Sequence, residues 1–428
     1  MIAVTVVLLI ALLALSIPVA ASLGLLGLIL DQAFSVFPLR LATGEVAWAA
    51  STDFILVAIP MFILLGEILL RSGIAQRMYA AMSHWLSWLP GGLMHSNVGA
   101  CTMFSAVCGS SVATAATIGT LAVGEIERQR YNERMFLGTI AAGGTLGILI
   151  PPSINMIVYG VLTQTSIPQL YLAGIVPGLI LAGLFMLTVL IACTLRPVWG
   201  GAPLRTDWSA RLRSLPDLLP PLLIFAVIIG SIYTGWATPT ESAGVGVLAA
   251  LALAALRRQV SIAMLRQVIE GTMRTTAMIM AILIAASFLN FVLNGIGLTA
   301  AVEGWVLGLG LSPTATLVAI ILFYLVLGMF MESLTMMVAT VPIITPVIVS
   351  LGFDPVWFGV LIMLLVETAM ITPPVGINLY VVQGVRTRGQ LHDVIIGTLP
   401  FLIALLAMIV LLVVMPSLAV WLPQSVAG

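Results

Sequence analysis

The chain has 428 residues, 61% of them hydrophobic and only 7% charged, with 16 basic residues balancing 16 acidic ones. The zero net charge gives a nucleic-acid partner no footing. The three cysteines, Cys101, Cys108 and Cys193, lie inside apolar segments and suit neither a disulfide framework nor a zinc site.

In chain order, the first apolar run spans 2–30 with no charge before Asp31. It is too long for a signal-peptide core and has no basic residue before it, so it reads as a retained membrane helix. Residues 71–92, RSGIAQRMYAAMSHWLSWLPGG, are amphipathic with two tryptophans. They predict a helix along the cytoplasmic surface, a scaffold arm. Residues 93–124 contain FSAVCGSSVATAATIGT, dense in small and hydroxyl residues. That run is about 30 residues long yet must enter and leave on one side, which predicts a re-entrant hairpin with its tip at Ser105–Ser111. Residues 135–195 carry no charge, enough for more than one crossing at about 20 residues each. Inside them, TLGILIPPSINMIVYG (145–160) interrupts an oily segment with Pro-Pro. Proline in a helix interior removes a hydrogen bond and clashes with the preceding turn, at a cost of about 3 kcal/mol. Residues 196–217 predict a cytoplasmic linker. A second hairpin is expected over 315–346, LGMFMESLTMMVATVPIITP, with its tip at Gly328–Thr335. A second broken helix follows over 356–385, around TAMITPPVGINLYVVQG, and then a C-terminal helix.

The two halves match. A shift of 222 residues places Pro151-Pro152 on Pro373-Pro374, Phe136 on Phe358, Ile140 on Ile362 and Ser111 on Ser333. With one extra residue, Asn155 falls on Asn378 and Pro177 on Pro400. The chain has no lysine, and its arginines fix the sidedness. All but Arg40 cluster in segments expected inside: 71–77, 128–134, 196–213, 257–274 and 386–388. The connections Thr163–Pro168, Gly235–Thr240, Gly295–Pro313 and Ser350–Pro355 have none and are expected outside, as is the C-terminus. The first copy has inside charges before its Pro-Pro helix and the second has them after, so the copies are inverted. Inverted repeats with interrupted helices point to a secondary transporter whose site lies at the repeat interface. Freed carbonyls there suit a small cation, and half-helix N-termini suit an anion. The expected division is 1–92, N-terminal scaffold and arm; 93–195, first repeat, with hairpin 93–124 and broken helix 135–164; 196–274, linker, scaffold helices and arm; and 275–428, second repeat.

The blocks GGLMHSNVGACTMFSAVCGSSVATAATIGT (91–120), GILIPPSINMIVYG (147–160) and ETAMITPPVGINLYV (367–381) resemble the large membrane subunit of the tripartite ATP-independent periplasmic (TRAP) transporters. The likeness covers essentially the whole chain. It implies an elevator mechanism in the bacterial inner membrane, driven by sodium. It also implies an extracytoplasmic substrate-binding protein, a small four-helix membrane subunit on a separate polypeptide, and a small organic acid anion as substrate. No cofactor beyond sodium is implied. Carried over residue by residue, a first sodium site uses Ser105, Cys108, Gly109 and Ser110 with backbone oxygens around Gly147, Ile150 and Pro152. A second uses Gly328, Met331 and Glu332 with Ala369, Thr372 and Pro374. Cys108 stands where the family usually has serine; a thiol is a poor ligand for hard sodium, so only its main-chain oxygen counts. Ser110, Ser111, Asn155, Ser333, Thr335 and Asn378 are the candidate substrate contacts.

Glu332 and Glu367 are intramembrane acids. Each is a candidate to pair with sodium, to carry a proton, or to be a carboxyl satisfied by a freed backbone N–H. His84, His95 and His392 read as interfacial residues. Three other functions compete with the leading one: a one-component sodium- or proton-coupled anion symporter of related hairpin architecture, a passive channel, and an intramembrane hydrolase on Ser110 or Ser111 with His95. The hydrolase lacks an acid to orient its histidine.

Overall fold

The computed structural model describes residues 1–202, 207–386 and 388–427. The described residues form helices joined by turns, with no strand among them. Seven helices, or eight counting one bent pair, are long and apolar enough to cross a membrane.

The first apolar run is a correction to the sequence reading. It is two helices, Ile2–Ala14 and Val19–Phe34, and not one. Ser16 has φ 57°, and Pro18 disfavours helical geometry in Ile17, so the helix stops there. The expected linker 196–217 is also shorter than foreseen. Helix Trp208–Tyr233 takes up its second part and carries Pro216, Pro220 and Pro221 within it; residues 203–206 of that linker lie outside the described residues.

The first-copy arm is helix Ile74–Leu86, entered from Gly73 at φ +70°. The helix that begins within the expected segment 196–274 at Ile262 runs on without a break to Gly295. A shift of 222 residues from Ile74–Leu86 leads to helix Leu298–Gly308, entered likewise from a left-handed glycine, Gly297 at φ +72°. At 1.5 Å per residue the 34-residue helix Ile262–Gly295 is about 51 Å long, well beyond a bilayer core of about 30 Å.

Two groups of helices result. In one, Val19–Phe34 packs along Ile262–Gly295, and Pro239–Leu256 along Ala58–Arg71. Glycine lets both pairs approach closely. A Cβ on Gly27 would lie 2.9 Å from Phe288 Cε1, and one on Gly246 would lie 3.3 Å from Leu65 Cδ2. In the other, both hairpins and both broken helices pack together with Ile167–Leu195 and Leu391–Val414. There Gly138 and Gly397 meet backbone to backbone.

The two broken helices lie antiparallel. At one end Arg386 Nη2 is 2.5 Å from Glu133 Oε1, and Arg134 Nε is 3.0 Å from Asp393 Oδ1. At the other, the Tyr159 hydroxyl donates to the Pro355 carbonyl at 2.7 Å. The start of the first broken helix therefore meets the end of the second. Segments expected on one side also meet in pairs: Arg71 bonds Gln267 at 3.0 Å, and Arg388 pairs with Glu127.

Candidate functional site

The site is built from two hairpin tips and two helix breaks. Helix Leu93–Cys108 ends because Gly109 turns left-handed at φ +65°. Ser110 then caps Ser111–Ala122, its Oγ accepting the Ala113 N–H at 3.4 Å. Only Gly109 and Ser110 separate the helices, so Ser105 lies one turn back inside the first. At the second tip, Pro313–Gly328 and Ser333–Ser350 are separated by Met329–Glu332. Glu332 is the N-cap here. Its Oε2 accepts the Thr335 N–H at 3.1 Å and the Thr335 hydroxyl at 3.2 Å, and Ser333 donates to Oε1 at 2.7 Å.

Both breaks contain a cis bond, Pro151-Pro152 and Pro373-Pro374. At the first, Glu133–Leu149 gives way to Ile154–Thr163 with a 40° bend, and Ser153 caps the second part. At the second, Pro355–Met370 gives way to Ile377–Gly384, entered from Gly376 at φ +46°.

Each tip is seated on the break of its own repeat. The Gly109 carbonyl accepts the Ile154 N–H at 3.5 Å, and the Met329 carbonyl accepts the Val375 N–H at 3.2 Å. The approach is close enough to require glycine. A Cβ on Gly147 would lie 2.7 Å from the Ser110 backbone, one on Gly109 2.5 Å from the Pro152 oxygen, and one on Gly328 2.4 Å from Ala369 Cβ.

Of the first candidate cation set, Gly109, Ser110, Gly147 and Pro152 are thus in contact. Ser105 Oγ is buried with no hydrogen-bond partner in the protein, which leaves an oxygen available one turn below the tip. The Ile150 side chain packs toward Gly178, and Cys108 faces Gly66 of helix Ala58–Arg71. Of the second set, Gly328 meets Ala369, while Met331 and Glu332 occupy the tip linker. The Thr372 hydroxyl donates to the Thr368 carbonyl at 2.6 Å, and the Pro374 carbonyl accepts from the Tyr380 hydroxyl at 3.2 Å. The Thr372 oxygen keeps lone pairs, but its proton is committed.

A cavity of about 800 Å³ lies between the two helix groups. Ser110, Ser111, Asn155, Ser333 and Thr335 line it. The opposite wall includes Pro18, Glu67, Leu70, Thr275 and Ile279, none of which stood out in the sequence. Glu67 carried the one signal that could have found it, an acid four residues before Arg71 in an apolar run; the two pair at 2.8 Å. Asn155 is buried, and its Nδ2 has no partner. Its repeat counterpart Asn378 is turned elsewhere and donates to the Ala141 carbonyl at 3.2 Å.

The first residues of five helices, Val19, Ser111, Ile154, Ser333 and Ile377, border this cavity, four of them from the hairpins and breaks. Each helix start leaves backbone N–H groups without an intrahelical partner and carries a partial positive charge. The lining contains Glu67 and Glu332 but no arginine, lysine or histidine among the described residues. Positive potential therefore comes from backbone alone.

Glu367 is fully buried away from that lining. Its Oε1 accepts the Ser111 hydroxyl at 2.8 Å and the Ile148 N–H at 3.0 Å. His95 bonds the Pro90 carbonyl through Nε2 at 2.9 Å. It sits at the far end of Leu93–Cys108 from Ser110, about 20 Å along the axis. The hydrolase arrangement therefore does not form.

Residues 6–418 match the family described as tripartite ATP-independent periplasmic transporter, DctM component. The chain is 34% identical over 406 residues to the C4-dicarboxylate TRAP transporter large permease protein DctM of Pseudomonas aeruginosa, covering 94% of each. It is 32% identical over 378 residues to the sialic acid TRAP transporter large permease protein SiaM of Vibrio cholerae, covering 88% of each. Among solved structures it is similar to the YdaH transporter of Alcanivorax borkumensis. The TM-score is 0.64 at 15% identity, over 93% of this chain and 97% of that one.

Proposed function

The chain belongs to the DctM component family of tripartite ATP-independent periplasmic transporters, and from that premise we propose a sodium-driven importer of small organic acid anions. Its family makes it a multi-pass membrane permease subunit of a binding-protein-dependent secondary transporter, and not an enzyme. The finer reading concerns how it moves its cargo. The observation that carries it is one cavity bordered by the helix starts of both hairpins and both breaks, with Glu67 and Glu332 but no basic side chain among its described lining residues. The helix starts offer a carboxylate backbone N–H donors, while Glu67 is paired with Arg71 and Glu332 is occupied by Ser333 and Thr335; no salt bridge would trap the anion, which suits a site that must also release.

Sodium fits the tips. The paired tip-to-break seats bring Gly109, Ser110, Gly147 and Pro152 together in one repeat, and Gly328 and Ala369 in the other. Hard oxygen ligands from irregular backbone are the chemistry a small cation needs. The elevator reading is supported by the way the hairpins and broken helices are tied to one another. Asn378 to Ala141, Arg134 to Asp393 and Arg386 to Glu133 all join the first repeat to the second. The unit so joined faces the other helix group across the cavity. The dicarboxylate and sialic acid specificities of the relatives extend to this chain as a class, carboxylates or acidic sugars. Delivery falls to an extracytoplasmic binding protein, with a small membrane subunit beside the scaffold.

The anion reading is tested by Asn155→Asp. The substitution places a carboxylate where an unpartnered amide now borders the cavity. Uptake of the cognate anion should show a KM raised about tenfold or more, as expected for like charges in a poorly solvated site. An unchanged KM would contradict an anion site at this cavity.

A further inference from the structure

Glu367 belongs to the second repeat, yet both of its hydrogen-bond donors belong to the first. Ser111 is the first residue of the helix after the first tip, and Ile148 lies just before the first break. One carboxyl oxygen accepts from both, at 2.8 and 3.0 Å. The carboxylate therefore bridges the two pieces of chain that the first cation site requires at a fixed separation. It sits on the same helix as Ala369, two residues further on, and five residues before Thr372. Both of those belong to the second cation set.

The bridge has no counterpart in the other direction. The position equivalent to Glu367 under the 222-residue shift is Thr145, whose hydroxyl returns to the Ala142 carbonyl at 2.7 Å. Ser333, the equivalent of Ser111, donates to the adjacent Glu332 and to nothing in the first repeat. The second repeat reaches into the first tip, and the first does not reach into the second.

We infer that Glu367 is a positioning residue that holds the first tip against the first break and transmits ion occupancy of the second site to the first. The inference rests on the sodium reading above. Sodium at the second site fixes the end of helix Pro355–Met370. That fixes the Glu367 carboxyl, which in turn orders Ser111 and Ile148 before the first ion binds. Sodium activation should then be cooperative, with the cooperativity carried by this one side chain. Ser111, whose hydroxyl lies nearer Glu367 at 2.8 Å than the Thr145 carbonyl at 3.3 Å, acts with it as framework.

The test is the sodium dependence of uptake by the chain reconstituted with its small subunit and binding protein, for wild type, Glu367→Ala, Glu367→Gln and Ser111→Ala, each normalised to folded protein. Glu367→Ala, which removes the acceptor of both Ser111 and Ile148, should raise half-saturating sodium about tenfold or more and should bring the Hill coefficient toward one. Glutamine, which keeps an oxygen able to accept from both donors, should restore part of the cooperativity. Ser111→Ala should move in the same direction by a smaller factor, and it serves if Glu367→Ala does not fold. Variants that lose only maximal rate, with half-saturation and Hill coefficient unchanged, would overturn the proposal while leaving sodium coupling intact. Wild-type uptake that ignores sodium would overturn both together.

Discussion

Gly147→Ala is the smallest change that should separate the first tip from its break. Gly147 lies inside helix Glu133–Leu149, fully surrounded, and its missing side chain is what lets Ser110 and Ser111 rest on the helix. An alanine Cβ would stand 2.7 Å from the Ser110 carbonyl carbon, the Ser110 oxygen and the Ser111 nitrogen, where ordinary contact begins at 3.4 Å. The neighbours are backbone and cannot swing aside. The tip must retreat by 3.4 minus 2.7, or about 0.7 Å, against a tolerance of about 0.2 Å in metal–oxygen distance. The same retreat stretches the 2.8 Å Ser111–Glu367 bond past hydrogen-bond range. Overpacking of this kind costs about 1–3 kcal/mol, so half-saturating sodium should rise by a factor of about 5 to 150. The assay is sodium-activated uptake in proteoliposomes at equal folded protein. Gly183→Ala is the control, since a Cβ there meets nothing within 4 Å; it should behave as wild type. A Gly147→Ala sodium curve superposing on wild type would refute the first cation site as drawn.

Two further outcomes are expected. Thr372→Ala should weaken sodium activation more than Ile150→Ala at matched membrane expression. Threonine adds an oxygen beside its break, whereas Ile150 can offer only backbone; equal effects would remove the Thr372 hydroxyl from the second site. Cysteine at Gly310 should react with impermeant thiol reagents from the periplasmic side and cysteine at Ser209 should not, against a low background because Cys101, Cys108 and Cys193 are all buried; the reverse pattern would invert the topology.

The breaks and tips were legible because their chemistry is local. Proline cannot continue a helix, and glycine before a serine cap ends one helix and starts the next, so Gly109-Ser110 and the two Pro-Pro pairs declared themselves. That the arginine segments of the two broken helices share one end was legible from charge alone, and there Arg134 pairs with Asp393 and Arg386 with Glu133. Helix Leu298–Gly308 was hidden for the same reason. Leu298–Gly308 lies in an arginine-free connection, where charge gives no signal, although shifting the first arm by 222 residues would have led to it. The split at Ser16–Pro18 was lost inside a continuous apolar run, where hydropathy is blind to a turn. Glu367 stood out as a buried acid, but its partners are 219 and 256 residues away in sequence. No local pattern pairs them. The scaffold wall of the cavity was equally remote, since Pro18, Glu67 and Thr275 are joined only by tertiary packing.

The central claim is that ion-coordinating tips and an anion-attracting cavity form one sodium-coupled carrier. Its most direct test is uptake of the anion bound by the partner binding protein, into vesicles holding this chain and its small subunit, with the sodium gradient as the sole driving force. Accumulation that requires an inward sodium gradient, and stops when the gradient is collapsed or the binding protein omitted, is the expected result. Accumulation driven equally well by a pH gradient without sodium, or without the binding protein, would contradict it.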